Sequence, residues 1–335
     1  MEPPKKSRHG CLWAIIILQA LVLAAGVATV IGIGMVSLLF REVESPRVGV
    51  DESPELTEVW SCGAGDVKVV RIALHGMIVL GQEEGFLSST VGSADQALRA
   101  IHRATHDSEV KALILEVDSG GGGITASDVI YKALLDFKKA QRGRKIVAVF
   151  GDVAASGAYY VSLASDCIVA HPTTITGSIG VLIQTLNLKG LGEKVGIKDV
   201  TIKSGANKDI LNPFGEMTAE QRQLLQGLVD ELHSRFVSLV AQGRKLPEDQ
   251  VRAFADGRIF SASKAMDLGL VDQIGYWEDA MAKTSDLLGA RSIKVYRYEQ
   301  GFSLSAFLKS VETWDPVSNL LLSRPQTRLL YLWQP

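Results

Sequence analysis

The chain has 335 residues, 47% of them hydrophobic, and a formal net charge of −2 at pH 7. That length suits one large domain or two small ones, and the near-neutral charge gives no support for a nucleic-acid partner. The three cysteines, Cys11, Cys62 and Cys167, match neither the spacing of a zinc site nor a dense disulfide framework. Cys62 and Cys167 could pair in an oxidising compartment, and the sequence leaves both states open.

An apolar segment without any charge runs from Cys11 to Phe40. About 20 apolar residues cross a bilayer as a helix, so residues 11–40 are predicted to form a transmembrane anchor. Basic residues lie in the segment 1–10, which the positive-inside rule places in the cytoplasm, with the rest of the chain outside it. A cleaved signal peptide is the alternative, but its apolar region would span only about 7–15 residues. The sequence therefore predicts a single-pass protein of the cell (inner) membrane.

Residues 41–66 are polar, contain proline and glycine, and suit a linker. From Val67 onward, strand-like and helix-like patterns alternate, which predicts an α/β domain over residues 67–290 with a largely parallel sheet. Predicted strands cover 68–81, 110–119, 145–150, 166–171 and 175–185, and predicted helices cover 93–105, 126–140 and 218–242. Thr218 is the predicted N-cap of the last helix. Residues 291–335 form a less regular C-terminal tail.

Ser156 stands in the stretch GDVAASGAYY, six residues past a predicted strand and at the start of a predicted helix. Amides at a helix N-terminus favour developing negative charge, as a nucleophilic serine would require. Small neighbours such as Ala154, Ala155 and Gly157 would let a peptide backbone approach. A serine N-cap among tightly packed small residues is the structural alternative.

Four glycines, Gly120–Gly123, follow the predicted strand 110–119. Glycines allow positive φ and close approach of a ligand, so their amides could form an oxyanion hole or an anion nest. A phosphate loop is not supported, because no Gly-Lys-Ser/Thr follows. A flexible turn remains the plain alternative.

None of the six histidines is set beside an obvious orienting acid, so the sequence gives no motif for a serine–histidine pair. His102 and His106 are four residues apart on a predicted helix, but no third metal ligand follows at a suitable spacing.

Lys203 and Lys208 lie in the glycine-bearing stretch TIKSGANKDILNPFGEMT. A lysine acts as a base only when burial or positive neighbours lower its pKa from about 10.4. A solvated loop lysine is the alternative interpretation of each.

Together, the stretches DSGGGG, GDVAASGAYY, TGSIGV and SGANKDI resemble the signal peptide peptidase A family, over about residues 67–290. The resemblance implies a Clp protease/crotonase-like fold of repeated ββα units after one N-terminal transmembrane helix. It also implies Ser156 as nucleophile, Lys208 as base and Ser178 as the residue that positions the lysine amine. Backbone amides of Gly121 and Gly157 would form the oxyanion hole, and Lys203 would be peripheral.

The resemblance further implies a cofactor-free and metal-free hydrolase that degrades apolar signal-peptide remnants outside the cytoplasm. It implies a homo-oligomer, an octameric ring in the small form of the family, in which a neighbour's lysine can serve a protomer's serine. The family's glycine motif, Asn-Ser-Pro-Gly-Gly, is altered here, because Asp118 replaces asparagine and Gly120 replaces proline.

Three other functions share some of these features. They are a related membrane-bound serine–lysine protease that cleaves another membrane protein, a crotonase-like acyl-thioester enzyme, and a non-catalytic scaffold. The apolar C-terminal stretch LLYLWQP, residues 329–335, could dock in the substrate groove of the domain or simply pack on its surface.

Overall fold

The computed structural model describes residues 56–84, 89–299 and 330–332, together with the single positions 19 and 54. Apart from Gln19, which is helical, the predicted membrane anchor lies outside the described residues. Within the described part of the chain, no helix is both long enough and apolar enough to span a bilayer. The elements below all belong to one unit, formed by Val50–Ser303 and Thr313–Pro335.

The strands and helices follow one another along the chain in the alternating manner that the sequence predicts. The strands are β1 (Thr57–Cys62), β2 (Val67–Ile78), β3 (Gln82–Glu84), β4 (Ser89–Val91), β5 (Val110–Gly123), β6 (Lys145–Ala155), β7 (Cys167–Ala170), β8 (Ile175–Gly177), β9 (Ile259–Ser261), β10 (Gln273–Ile274), β11 (Ile293–Glu299) and β12 (Leu330–Leu332). The helices are α1 (Ser93–His106), α2 (Ile124–Ala140), α3 (Gly157–Ser162), α4 (Lys189–Val195), α5 (Ala219–Arg244), α6 (Glu248–Arg252), α7 (Ala262–Asp267) and α8 (Trp277–Leu288).

One large sheet organises the described residues, with the strand order β1-β11-β2-β5-β6-β7-β10. All neighbours from β11 to β10 run parallel, whereas β1 is antiparallel to β11. Strands β8 and β12 attach to β6 and β5, and β9 pairs with β8. The predicted α/β architecture with a largely parallel sheet is therefore confirmed.

The central strands are buried on both faces, as parallel sheets require. Alternate residues of β5 face opposite sides: Leu113 and Leu115 belong to one apolar cluster, and Ala112 and Ile114 to the other. The larger cluster packs α1, α2 and α3 against the sheet, and the smaller one packs α8. Helix α1 shows the local cause, because its buried residues recur at spacings of three and four: Ala94, Ala97, Leu98, Ile101 and Ala104.

The structure departs from the predicted boundaries at two places. Strand β1 lies inside the predicted linker 41–66, and β11 lies inside the predicted tail 291–335, so the sheet extends beyond residues 67–290 at both ends. The prediction of a strand over 175–185 is wrong beyond Gly177, because β8 ends there and the chain turns at Ser178, whose φ is +49°.

Both described cysteines are free thiols. Cys167 is buried in the smaller apolar cluster, and Cys62 packs against the same cluster, where its Sγ lies 3.7 Å from Met281 Sδ. Burial raises the pKa of the Cys167 thiol to about 11. The possible disulfide between these two cysteines is therefore not formed in the structure.

Candidate active site

Ser156 lies in the sharp turn between the carboxyl end of β6 and the first residue of α3. Its backbone has φ +54° and ψ −118°, a combination that side-chain-bearing residues rarely adopt. Such strain costs about 1–3 kcal/mol and persists only where the surrounding structure enforces it. The residue is 1% exposed, and no hydrogen-bond partner of its hydroxyl occurs among the described residues. A strained strand-to-helix turn is the backbone geometry that presents the nucleophilic serine in α/β-hydrolases.

Ser178 is brought next to Ser156 by strand pairing. Strand β8 runs parallel to the end of β6, with Ala155 opposite Gly177, so the two serines follow directly paired residues. The Ser156 amide donates to the Gly177 carbonyl oxygen at 2.8 Å, and the Ser178 amide donates to the Arg258 carbonyl oxygen at 2.8 Å. The two predicted site serines are therefore neighbours in space.

Backbone strain in the described residues is concentrated at this place. Among all the described residues, only three that are not glycine have positive φ, namely Ser156, Ser178 and Lys245. Lys245 is the ordinary left-handed cap at the end of α5. The other two are the serines that the sequence singles out, and the strain falls where a catalytic constraint is expected.

A polar contact that the sequence analysis does not identify supports the helix behind Ser156. Tyr160 of α3 donates its phenol hydrogen to Asp128 Oδ1 at 2.5 Å, and Arg235 of α5 donates to the same oxygen at 2.6 Å. Burial acts to raise the pKa of Asp128, but the hydrogen bonds from Tyr160 and Arg235 outweigh it and lower that pKa. Burial also raises the pKa of Tyr160, so the phenol stays a donor. Three helices are thereby joined beside the nucleophile.

The glycine run forms the end of β5, and two of its members need to be glycine. Gly121 has φ +103°, and a Cβ on Gly122 would lie 2.2 Å from the Ile78 carbonyl oxygen. The Gly121 amide, a predicted oxyanion donor, donates here to Ser119 Oγ at 3.0 Å. Gly157 is the first residue of α3, and among the described residues no acceptor faces its amide. Asp118 accepts from the Val153 amide at 3.1 Å and so ties the glycine run to β6.

The C-terminal strand β12 lies along this glycine run. It is antiparallel to β5, with Leu330 opposite Gly123 and Leu332 opposite Gly121. Leu332 is buried, and β12 also contacts α3, the helix that begins beside Ser156. Of the two positions considered for the tail, docking against the glycine segment is the one that the structure contains.

Lys208 lies in the segment between α4 and α5, and its side chain is exposed. Its backbone amide donates to the Gly205 carbonyl oxygen at 3.2 Å, whereas within the described residues its ammonium has neither an ion pair nor a hydrogen bond. Lys203 differs, because its Nζ lies 2.6 Å from Asp209 Oδ1. The structure thus brings the two serines together and records no hydrogen bond from either hydroxyl to Lys208.

The histidine pair considered as a metal site has a local explanation. His106 Nδ1 lies 2.9 Å from the His102 carbonyl oxygen within α1. Across residues 56–84, 89–299 and 330–332, no group of three His, Cys, Asp or Glu side chains is arranged to hold a metal ion.

Comparison with known proteins identifies the family. Residues 138–291 match the profile of Peptidase family S49. The chain is 38% identical over 267 residues to an Enterococcus faecium protein with the provisional name signal peptide peptidase SppA, covering 78% of this chain and 77% of that protein. It is 40% identical over 228 residues to a Synechocystis sp. protein provisionally named a protease, and the match covers 68% of this chain and 77% of that protein. Among solved structures it is similar to a ClpP1 mutant from Listeria monocytogenes, with a TM-score of 0.41, 15% identity, and coverage of 63% of this chain and 93% of that one.

The chain therefore belongs to peptidase family S49, the signal peptide peptidase A family, and is a serine peptidase.

Proposed function

We propose that this serine peptidase is a membrane-anchored endopeptidase with a Ser156–Lys208 dyad, in a Clp protease/crotonase-like fold, that degrades signal-peptide remnants. The observation that carries the proposal is the buried, strained Ser156 at a strand-to-helix turn, with Ser178 directly beside it. A residue without a chemical task would gain stability by leaving that backbone conformation.

In the proposed reaction, the neutral amine of Lys208 takes the proton of Ser156 Oγ, and the oxygen attacks the peptide carbonyl carbon. Ser178 Oγ holds the lysine amine in line. The lysine ammonium then gives its proton to the departing amine, which leaves an acyl ester on Ser156. Water attacks that ester with Lys208 again as base, and the carboxylic product and the free serine result. No metal ion or cofactor takes part.

The oxyanion formed in each step would be bound by the amides of Gly121 and Gly157. Loss of one such donor typically costs about 10²–10³ in rate. Because the Gly121 amide donates to Ser119 Oγ, substrate must replace that hydroxyl as the acceptor. Gly120, which stands where the family has proline, permits the small rotation that this exchange needs.

Assembly into a homo-oligomeric ring would supply the base, because Lys208 is exposed and unpaired within the described residues of its own chain. The stretch from Leu186 through α4 to Ile202, just before Lys208, carries a set of exposed apolar side chains, which favours burial against a second copy: Leu186, Leu191, Val195, Ile197, Val200 and Ile202. In this arrangement the Lys208 of one copy reaches the Ser156 of the next. An octamer is the ring size that the family resemblance implies.

Location and substrate are proposed from the sequence. The uncharged segment 11–40 with basic residues before it would hold the enzyme in the cell membrane, with the peptidase domain outside the cytoplasm. Signal-peptide remnants are apolar and stay near the membrane, so an anchored peptidase meets them there.

A variant panel tests the dyad, with peptidase activity of residues 47–335 measured on a leucine-rich fluorogenic peptide. Ser156→Ala and Lys208→Ala should each lower kcat/KM by more than about 10³-fold. Ser162→Ala, a buried serine of the same helix α3, and Lys132→Ala, an exposed lysine of α2, serve as matched controls and should stay near wild type. Full activity in Ser156→Ala would remove the assignment.

Mixing two inactive variants tests the shared site. In a ring built from equal amounts of Ser156→Ala and Lys208→Ala protomers, about a quarter of the interfaces would combine an intact serine with a neighbour's intact lysine. Activity should return to roughly that share of wild type after the two are refolded together. No recovery would mean that each chain supplies both groups itself.

A related protease that acts on another membrane protein would give the same result in both tests. Proteomic profiling of cleavage products separates the two, since signal-peptide fragments should accumulate when Ser156→Ala replaces the wild-type protein in cells. Coenzyme A binding would indicate a crotonase-like enzyme instead, and normal assembly with no hydrolysis of any peptide would indicate a scaffold.

A further inference from the structure

The backbone around Lys208 is held by side chains on both sides. The Ala206 carbonyl oxygen, two residues before Lys208, accepts from Gln221 Nε2 at 3.2 Å and from Lys203 Nζ at 3.4 Å. The Asp209 carboxylate, one residue after Lys208, binds the same Lys203 Nζ at 2.6 Å. Lys203 is exposed in part, whereas the Gln221 side chain reaches the loop from within the protein.

Gln221 is only 8% exposed and belongs to the first turn of α5. Its side-chain Oε1 accepts from the Thr218 backbone amide at 3.1 Å, and its backbone amide donates to Thr218 Oγ1 at 3.1 Å, so the two residues form a capping box. The capping box uses only the side-chain oxygen of Gln221. The Nε2 donor is therefore left for Ala206, and it ties the lysine segment to a 26-residue helix.

That helix is itself fixed to the nucleophile. Arg235 of α5 and Tyr160 of α3 share the Asp128 carboxylate, and Tyr160 lies one helical turn after Ser156. The Tyr160 amide donates to the Ser156 carbonyl oxygen at 2.9 Å. Gln221 thus ties the lysine segment to the packed helices of its own protomer, which fixes the place from which Lys208 can reach the Ser156 of the next copy.

We propose that Gln221 is a positioning residue that holds the Lys208 segment in its active geometry through the Nε2–Ala206 hydrogen bond; this inference rests on the proposed role of Lys208. Displacement of a catalytic group by about 1 Å can cost about 10²-fold in rate. Glutamate caps a helix as well as glutamine does, but its carboxylate has no hydrogen to give to a carbonyl oxygen. A glutamine is needed at this position only because of Ala206.

Three variants separate positioning from helix capping. Gln221→Glu keeps the capping box and loses the bond to Ala206. Gln221→Met loses the bond to Ala206 and the side-chain oxygen's half of the capping box, and Thr218→Ala loses the hydroxyl half of the capping box while it keeps the bond to Ala206. We expect kcat/KM to fall at least about tenfold in both Gln221 variants, whereas Thr218→Ala lowers the Tm and leaves kcat/KM within about twofold of wild type.

Hydrogen–deuterium exchange of the peptide over residues 204–212 gives a readout that does not depend on activity. Both Gln221 variants should exchange faster there, with the rest of α5 protected as in wild type in Gln221→Glu. Wild-type kcat/KM and exchange in Gln221→Met would overturn the proposal. So would an equal loss of activity in Thr218→Ala, because helix stability would then explain the effect.

Lys208→Ala belongs in the same panel, so that the two proposals fail separately. If Lys208→Ala is inactive and both Gln221 variants are normal, positioning by Gln221 is wrong and the dyad stands. If Lys208→Ala is active, the dyad is wrong, and the exchange data alone still report whether Gln221 holds the segment.

Discussion

Truncation after Arg328 should raise peptidase activity, because it removes the strand β12 that occupies the glycine segment of β5. Antiparallel pairing of Leu330–Leu332 with Gly121–Gly123 places this strand beside the predicted oxyanion amide, and it also contacts the helix that follows Ser156. An extended peptide substrate would add to the same strand edge. The tail and the substrate therefore compete for one position.

The size of the effect follows from the contacts. Two or three backbone hydrogen bonds contribute about 1 kcal/mol each, and burial of Leu332 contributes about 2 kcal/mol. Ordering three residues costs about 1–2 kcal/mol each. These terms sum to between about −2 and 2 kcal/mol. Because the structure contains the docked strand, docking is favourable, by about 0 to 2 kcal/mol, so between about one half and one thirtieth of the sites are open. Removal of the tail should raise kcat/KM between about twofold and thirtyfold, through a lower KM at constant kcat.

The assay compares the 47–328 and 47–335 chains on the leucine-rich fluorogenic peptide, with kcat and KM measured separately. Leu332→Asp in the longer chain should reproduce the truncation, because Leu332 is buried in the docked strand. Removal of Gln334 and Pro335 alone is the matched control and should change little. Equal kcat/KM in the 47–328 and 47–335 chains would refute competition by the tail.

Three further predictions follow from single contacts. Ser156→Gly should abolish hydrolysis and raise the free energy of unfolding by about 1 kcal/mol, since glycine relieves a backbone with φ +54°; urea unfolding checks this, and destabilisation would contradict it. Hydrogen bonds from Tyr160 and Arg235 lower the pKa of Asp128 against the effect of burial, so the stability they give is complete above the unfolded-state pKa of about 3.9 and disappears as pH falls through the folded-state value. The difference in urea midpoint between wild type and Asp128→Asn should therefore be present at pH 7 and vanish in acid, and a constant difference would show that Asp128 acts by packing. Iodoacetamide should label Cys62 in the folded 47–335 chain and spare Cys167, which is 2% exposed with a pKa raised to about 11 by burial; mass spectrometry of the native protein checks this, and a Cys62–Cys167 disulfide would contradict it.

Local patterns were sufficient to predict most of the strands and helices and the position of Ser156. Apolar runs such as that of β5 and the three-and-four spacing in α1 reflect burial that each segment needs wherever it packs. The long helix and its Thr218 cap were also predicted correctly, because a capping box joins residues that are only three positions apart in the sequence. The strand predicted over 175–185 was too long because apolar content does not reveal the turn at Ser178.

Contacts between distant parts of the chain were not accessible to this reasoning. Arg235 meets Asp128 across 107 residues, and β12 meets β5 across about 200, so neither contact leaves a local signal. The occupation of the Gly121 amide by Ser119 is local, but it depends on a backbone turn with φ +103° that composition alone does not determine. Whether Lys203 is peripheral, as the family resemblance implies, stays a prediction, and its bonds on both sides of Lys208 make it unsuitable as a neutral control.

The division of the site between a rigid and an exposed part leads to a last prediction. Ser156 is buried in the packed centre of the fold, whereas Lys208 lies in a segment whose apolar side chains face solvent, Ile202 being 98% exposed. If the segment docks on a neighbouring copy, Ile202→Asp should abolish assembly and hydrolysis together, while the Tm of the isolated protomer stays unchanged because Ile202 touches little of its own chain. Sedimentation velocity and activity of the same preparation measure both. Full activity of a monomeric Ile202→Asp protein would show that one chain completes the dyad, and the exposed segment would then need another explanation.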